Sequence, residues 1–520
     1  MNKLVYLDLS SSRFLFETPN FQRMPNLVRL DFQGCVNLKE VHPSIGHLEK
    51  LVLLDLSECG NLEKLPSFTQ VKSLEFLNLG FCKKLENFPE IQTSMSYLLE
   101  LEIQYIGIGE FPSSIQQLHG LTKLRLVDCD NLVQLPGSLC ELKNLKVVEV
   151  ERCAELKSLP ENLGNLSQLE KLHVERTAIS QLPSSIKKLS SIEYLYLGDF
   201  IYGSKWSSSN VVLPSVSSLF LLKVLELCSL YMLDEGLPQD IGCLYSLEYL
   251  NLSKNNFVHL PESISQLPSL KYLDIRYCER LEELPQLPQT IWELYADIRF
   301  AFESNIAELS TKYLELYSIT FTHNFEVYMR PSAKSYLPES LKSIKLILCS
   351  RTSLRKTPLT VIYPVDINRC FKYKCDGASR ISIHLQPFWY TPNFLGFVVC
   401  CLLPSRGNIW ESHFEHCAVI AKLADNDNSR NEAPQTKCVI TKSDKYKRFY
   451  EQRTCVAYIP FSSLWNESKA QKDGVTPNDY STFEAFLDSS QVSTDWGCSL
   501  FYEDDDLIIE AMIKLQIMGK

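Results

Sequence analysis

No run of apolar residues in this 520-residue sequence reaches the roughly 18 needed to cross a bilayer, and no apolar leader precedes residue 4. A membrane span is therefore not expected. Positive charge is in deficit: 52 Lys and Arg stand against 62 Asp and Glu, a net charge of −10. That balance argues against nucleic acid or an anionic membrane as the main partner. A phosphate loop is missing too. Gly198 and Gly203 lie near Lys205, but Ser204 precedes that lysine where the pattern requires Gly-Lys-Ser or Gly-Lys-Thr. No Ser/His/Asp or Cys/His arrangement stands out from background. Catalytic residues and cofactors are not expected.

What is present is a period. Residues 4 to 297 repeat the phrase Leu-x-x-Leu-x-Leu-x-x-Cys-x-x-Leu-x-x-Leu-Pro about a dozen times. Strand cores begin at Leu4, Leu27, Leu51, Leu74, Leu98, Leu121, Leu145, Leu169, Ile192, Leu222, Leu247, Leu270 and Ile291. Steps of 23 or 24 dominate, with one of 30 between Ile192 and Leu222. Such a period predicts an α/β leucine-rich-repeat solenoid, a horseshoe whose parallel sheet lines the concave face. About 13 repeats are expected over residues 1–299, with an insertion near 198–218. A coil of this kind recognises rather than catalyses.

Each position has a physical reading. In Leu51–Leu56, alternation across a strand points Leu54 and Leu56 inward and Leu53 and Asp55 outward. The turn that follows carries Ser12, Cys35, Cys59, Cys82, Cys129, Cys153, Thr177, Asn255 or Cys278. Small residues with a donor suit a buried turn whose carbonyls need partners. The six cysteines Cys35, Cys59, Cys82, Cys129, Cys153 and Cys278 are thus expected to form a structural ladder of reduced thiols. Reduced cysteines and the missing leader predict a cytoplasmic or nuclear protein. The first strand starts so close to Met1 that no polar cap covers it, so a piece of a longer protein is expected.

Beyond about residue 300 the period gives way to short apolar runs: Leu316–Phe321, Ile344–Leu348, Ile381–Leu385, Phe394–Leu403, Cys417–Leu423, Cys438–Ile440, Cys455–Ile459 and Cys498–Tyr502. They predict a connecting segment with strands over 300–360 and an all-β sandwich, jelly-roll or Ig-like, over 361–520. Cys400, Cys401, His413, His416 and Cys417 mix zinc-ligand types, but Cys400 and Cys401 face opposite sides of one strand. Glu503–Asp506 is acidic without the alternating loop that calcium needs. No metal site is expected.

Outward positions carry the recognition signal. Early coils present Asp8, Asp31, Asp55 and Glu102, a row suited to a basic partner or simply to water. Later coils present Tyr194, Tyr196, Tyr249, Tyr272, Tyr277 and Tyr295. Exposed tyrosines favour a protein partner, and packing against one another is the alternative.

Several segments resemble one family. Leu7–Ser12, Thr18–Phe21, Met24–Leu27, Cys35–Leu38 and Glu40–Ser44 are similar to the first repeats of plant TIR-type nucleotide-binding leucine-rich-repeat immune receptors. Val361–Pro364, Ser379–Leu385, Trp389-Tyr390, Phe394–Phe397, Trp496-Gly497 and Phe501–Asp505 resemble their post-repeat jelly-roll/Ig-like domain. Where that family runs Pro-Gly-Ser-x-Ile-Pro-x-Trp-Phe, this chain has Pro364–Phe371 of different sequence. The resemblance implies upstream NAD-cleaving TIR and nucleotide-binding domains as partners, neither of them in this sequence. It also implies a pathogen effector protein as ligand, bound by the concave repeat face and the post-repeat domain to trigger defence. An intracellular signalling scaffold with no pathogen ligand is the alternative, and the post-repeat domain discriminates against it.

Overall fold

The computed structural model describes residues 3–179, 181–198, 211–283, 286–297, 318–322, 359–363, 373–378, 380–391, 394–403, 417–424, 434–441, 453–466, 470, 474–487 and 494–502. The chain divides into two compact units, Met1–Leu270 and Lys271–Lys520.

In the first unit each repeat contributes one strand. Strands β1 (Tyr6–Asp8), β2 (Arg29–Asp31), β3 (Leu53–Asp55) and β4 (Phe76–Asn78) form a parallel sheet. Strands β5 (Glu100–Gln104), β6 (Lys123–Val127), β7 (Val147–Glu151), β8 (Lys171–Glu175), β9 (Tyr194–Gly198), β10 (Val224–Cys228) and β11 (Tyr249–Asn251) continue in parallel. The register is one repeat per step, so the phrase's leucines stack: Leu7 pairs with Leu30, Leu30 with Leu54, and Leu54 with Leu77. Leu30, Leu54, Leu101, Leu124 and Leu172 are all buried. Between β4 and β5 the strand ladder lapses, though Phe81 N–H still donates to Gln104 O at 2.8 Å. The insertion leaves no mark on the sheet, because Tyr194–Gly198 pairs residue for residue with Val224–Cys228.

The convex side is built from 3-10 turns such as Ser113–Gln117, Gly137–Glu141, Ser184–Lys188, Gln239–Cys243 and Glu262–Gln266. Pro112, Pro136, Pro183, Pro238 and Pro261 precede them in extended or near-extended backbone, as the Leu-Pro phrase requires. Each of these turns is a five-residue 3-10 segment that buries an aliphatic side chain, for example Ile115 or Ile241. The helical component of the coil is therefore 3-10.

The second unit begins with the same kind of strand. β12 (Tyr272–Asp274), β13 (Glu293–Asp297), β14 (Ser318–Thr322) and β15 (Leu359–Tyr363) pair in parallel. Then the direction alternates. β15 pairs antiparallel with β21 (Arg453–Pro460), which pairs with β18 (Phe394–Leu403), then β23 (Thr494–Tyr502) and β16 (Tyr373–Ala378). A second sheet orders β17 (Arg380–His384), β22 (Thr482–Leu487), β19 (Cys417–Ala424) and β20 (Gln435–Thr441).

Phe397 from one sheet stacks on Phe483 from the other, with centroids 3.8 Å apart and planes at 11°. Ile381, Ile383, Val399, Val419, Leu423 and Ile459 fill the space around them. Trp389 caps this core, its indole N–H donating to Tyr480 O at 3.0 Å, beside the short helix α1 (Phe461–Leu464). The unit is a β-sandwich. Residues 300–360, read as a connecting segment, supply two strands of the larger sheet, and a cut at 360/361 would pass through β15. Ile344–Leu348 lies outside the described residues.

Candidate recognition surface

The strand exits are where the repeat phrase does its structural work. In coil after coil the residue just before the ladder position is left-handed: Gly34 (φ 70), Glu58 (61), Phe81 (63), Asp128 (51), Arg152 (55), Lys254 (58) and Tyr277 (59). This reversal aims its N–H at the next coil, as in Glu58 N–H to Gly80 O at 2.8 Å and Arg152 N–H to Glu175 O at 2.9 Å. It also turns the following side chain inward. Cys35, Cys59 and Cys82 are buried, and their thiols donate to Leu9 O (3.1 Å), Phe32 O (3.3 Å) and Leu56 O (3.1 Å). Cys129 and Cys153 make longer contacts to Ile103 O (3.9 Å) and Leu126 O (4.0 Å), and Cys278 is buried as well. Asn255 fills the same place with a full amide, donating to Leu227 O at 2.7 Å and Leu252 O at 2.9 Å. Burial pushes the Cys59 thiol up and the Cys82 thiol up to about 12, so both stay protonated donors.

The acidic row of the early coils has a local task that alternation alone did not reveal. Asp8, Asp31 and Asp55 each accept the backbone N–H two residues on, from Ser10 (2.9 Å), Gln33 (3.0 Å) and Ser57 (2.8 Å). Asn78 and Asn251 do the same for Gly80 (3.1 Å) and Ser253 (2.9 Å). These Asx turns brace the strand exits. The bonds from Ser10 hold the Asp8 carboxyl below its usual range, so its charge persists in acid. The signal was present as Asp or Asn at the third strand position of each such coil.

On the middle coils the concave face is a charge lattice. Arg125 reaches Glu102 (2.7 Å), Glu151 (3.3 Å) and Glu149 (3.4 Å), and Glu149 also meets Lys171. Arg152 grips Asp128 through two hydrogen bonds of 2.8 and 2.7 Å, which hold that carboxyl below its usual range. Phe81 and Tyr105, both at the left-handed position, stack with centroids 4.8 Å apart. None of these cross-coil pairs is visible along the chain, because its members lie about one repeat apart.

The tyrosines divide. Tyr196 and Tyr295 are buried, 6% and 5% exposed, which corrects their reading as exposed anchors. Tyr196 is enclosed by the His173 ring at 5.3 Å, Tyr194 at 6.5 Å and the Lys171 ammonium at 5.5 Å. Tyr295 donates to Glu293 and lies beneath the Arg276 guanidinium at 5.0 Å. Both belong to polar interiors. Tyr194, Tyr249, Tyr272 and Tyr277 are half-buried, and Tyr277 sits at the left-handed turn rather than on a strand. Tyr272 meets Trp292 edge-on at 6.5 Å.

Among the described residues no group of three or more His, Cys, Asp or Glu is arranged to hold a metal ion. Cys401 is buried in the sandwich core, while His413, His416, Lys205, Pro364–Phe371 and Glu503–Asp506 lie outside the described residues. No described helix is long and apolar enough to cross a membrane.

Comparison with known proteins matches this architecture. Residues 70–158 match the family model "Disease resistance protein RPS4B-like, leucine-rich repeats", residues 203–297 match "Leucine-rich repeat region", and residues 364–506 match "C-JID domain". All three describe repeat or post-repeat regions rather than a catalytic domain. The chain is 36% identical to TMV resistance protein N of Nicotiana glutinosa over 96% of its own length and 42% of that protein. It is 32% identical to disease resistance-like protein DSC1 of Arabidopsis thaliana over 76% of its length and 32% of that protein. A solved leucine-rich-repeat protein of Leptospira interrogans is 20% identical, covering 65% of this chain and 94% of its own, with a TM-score of 0.34. The chain thus spans less than half the length of these two plant relatives. In content and order it corresponds to the leucine-rich-repeat and post-repeat portion of the plant TIR-type nucleotide-binding leucine-rich-repeat disease resistance proteins.

Proposed function

We propose that this chain is the ligand-recognition portion of an intracellular plant immune receptor. On this reading it binds a pathogen effector protein through the concave repeat face and the post-repeat domain, and binding triggers defence. TIR and nucleotide-binding domains upstream would be its partners in transmitting the signal. The observation that carries the reading is the parallel register, which sets side chains of successive coils in columns on one outward face, anchored by buried leucines. Such a face is rigid before binding, so little ordering cost is added on complex formation. The C-JID match on the same chain favours a receptor over a plain repeat scaffold.

Anchors on the later coils are assigned to the half-buried tyrosines Tyr194, Tyr249, Tyr272 and Tyr277. Each retains part of its ring for a partner, and aromatic anchors commonly carry about 2 kcal/mol or more. Purified protein screened against pathogen effectors should yield a saturable complex. Tyr249→Ala combined with Tyr272→Ala should weaken that complex at least about thirtyfold, the equivalent of roughly 2 kcal/mol, with an unchanged melting curve. Asp31→Asn should leave it intact. Full affinity in the tyrosine double variant would move the contact surface elsewhere.

A further inference from the structure

The charge of the middle coils is spent internally, but that of the first coils is not. Arg125, Lys171 and Arg152 pair with Glu102, Glu149, Glu151 and Asp128 within the lattice described above. Asp8, Asp31, Asp55 and Glu100 stand outward on β1, β2, β3 and β5, Glu75 is exposed just ahead of β4, and among the described residues no lysine or arginine forms an ion pair with any of them. Arg29 is the one cation in the columns Tyr6–Arg29–Leu53–Phe76 and Asp8–Asp31–Asp55–Asn78. A net negative field remains over this face.

Beside the carboxylates, apolar side chains on several of these coils are left open to solvent. Tyr6, Phe76 and Leu99 are exposed at 50%, 45% and 53%, and the stacked Phe81 and Tyr105 stand at the opposite strand exit. Exposed aromatic and aliphatic side chains concentrated on a strand face mark a contact surface rather than a solvated one. Nucleic acid and anionic lipid are repelled by the carboxylates.

We propose that the face of β1–β5 receives a basic polypeptide segment whose lysines or arginines alternate with apolar side chains. Its cations would meet the Asp8–Asp31–Asp55 column, and its apolar residues would cover Phe76 and Leu99. This surface is separate from the tyrosine-bearing coils, and the inference does not rest on the effector reading.

The test uses the whole chain and a fluorescent peptide of alternating lysine and leucine, with binding read by anisotropy. Asp8→Asn, Asp31→Asn and Asp55→Asn are combined in one variant. Asparagine keeps the Asx turn, as Asn78 and Asn251 show at the same position, so the variant loses charge without losing the fold. Affinity should drop at least about tenfold, and its salt dependence should flatten. Phe76→Ser with Leu99→Ser should weaken binding at every salt concentration, and the Tyr249→Ala/Tyr272→Ala protein should bind the peptide normally. Two results would overturn the proposal. One is unchanged affinity in the triple asparagine variant. The other is equal binding of a lysine–serine peptide, which would reduce the effect to general attraction toward an acidic protein.

Discussion

Replacing Cys59 with arginine is expected to unfold the early coils. The Cys59 side chain is fully buried, its thiol donates to Phe32 O at 3.3 Å, and Cys35 and Cys82 occupy the same turn of the adjacent coils. A guanidinium placed there has no room for its length, and the nearby Asp55 carboxylate is already engaged by Ser57. The cost should be about 3–5 kcal/mol, the scale for an uncompensated buried charge. Because each coil is stabilised by its neighbours, the loss should appear as faster amide exchange through β2, β3 and β4 together rather than at one strand. Cys59→Ser keeps a donor of similar size and should cost no more than about 1 kcal/mol. Intact mass under non-reducing conditions should show the six ladder thiols free. A serine variant as damaged as the arginine variant, or disulfides among these cysteines, would refute the donor-ladder account.

Phe397→Ala should be the costliest single truncation in the sandwich. Phe397 is fully buried, lies flat on Phe483 and touches the rings of Phe394 at 5.1 Å and Trp389 at 5.7 Å. Removing it opens a cavity that both sheets would have to collapse to fill, at about 3–5 kcal/mol. Urea melts followed by tryptophan fluorescence, to which the core residue Trp389 contributes, should shift strongly. Amide exchange in β6–β8, whose leucine core belongs to the first unit, should hold at its original rate. A small shift in the fluorescence melt would mean that the two sheets do not depend on this stack.

The solenoid is legible along the chain because its determinants are local and periodic. Leu30, Leu54 and Leu101 announce the inward column, and Cys35, Cys59 and Cys82 announce the turn. The sandwich is only partly legible. β18 stands out as a ten-residue apolar run, whereas β22 relies on Phe483 and Ala485 inward with Glu484 between them, too weak an alternation to separate from a loop.

The recognition surface is the least legible part of the chain. Tyr196 and Tyr295 have strand positions like those of any outward residue, and their burial comes from His173, Lys171, Glu293 and Arg276. Two of those partners, His173 and Lys171, lie about one coil away from Tyr196, and proximity between coils is set by register rather than by sequence neighbours. The aspartates present the opposite case. Their task is local, two residues in reach, but alternation classed them only as outward.

The larger sheet of the second unit has a practical consequence for dissecting the molecule. β15 covers one edge of β21 along five paired residues, from Leu359 opposite Tyr458 to Tyr363 opposite Thr454. A shortened protein starting beyond residue 363 would keep the aromatic core yet uncover a row of backbone N–H and C=O groups on β21. Open edges of this kind recruit strands from other molecules. Light scattering should find such a piece self-associating, whereas the full chain, in which β15 covers that edge, should stay dispersed. Strand β15 here acts as a selvedge for the sandwich, the woven border that keeps its fabric from fraying into its neighbours.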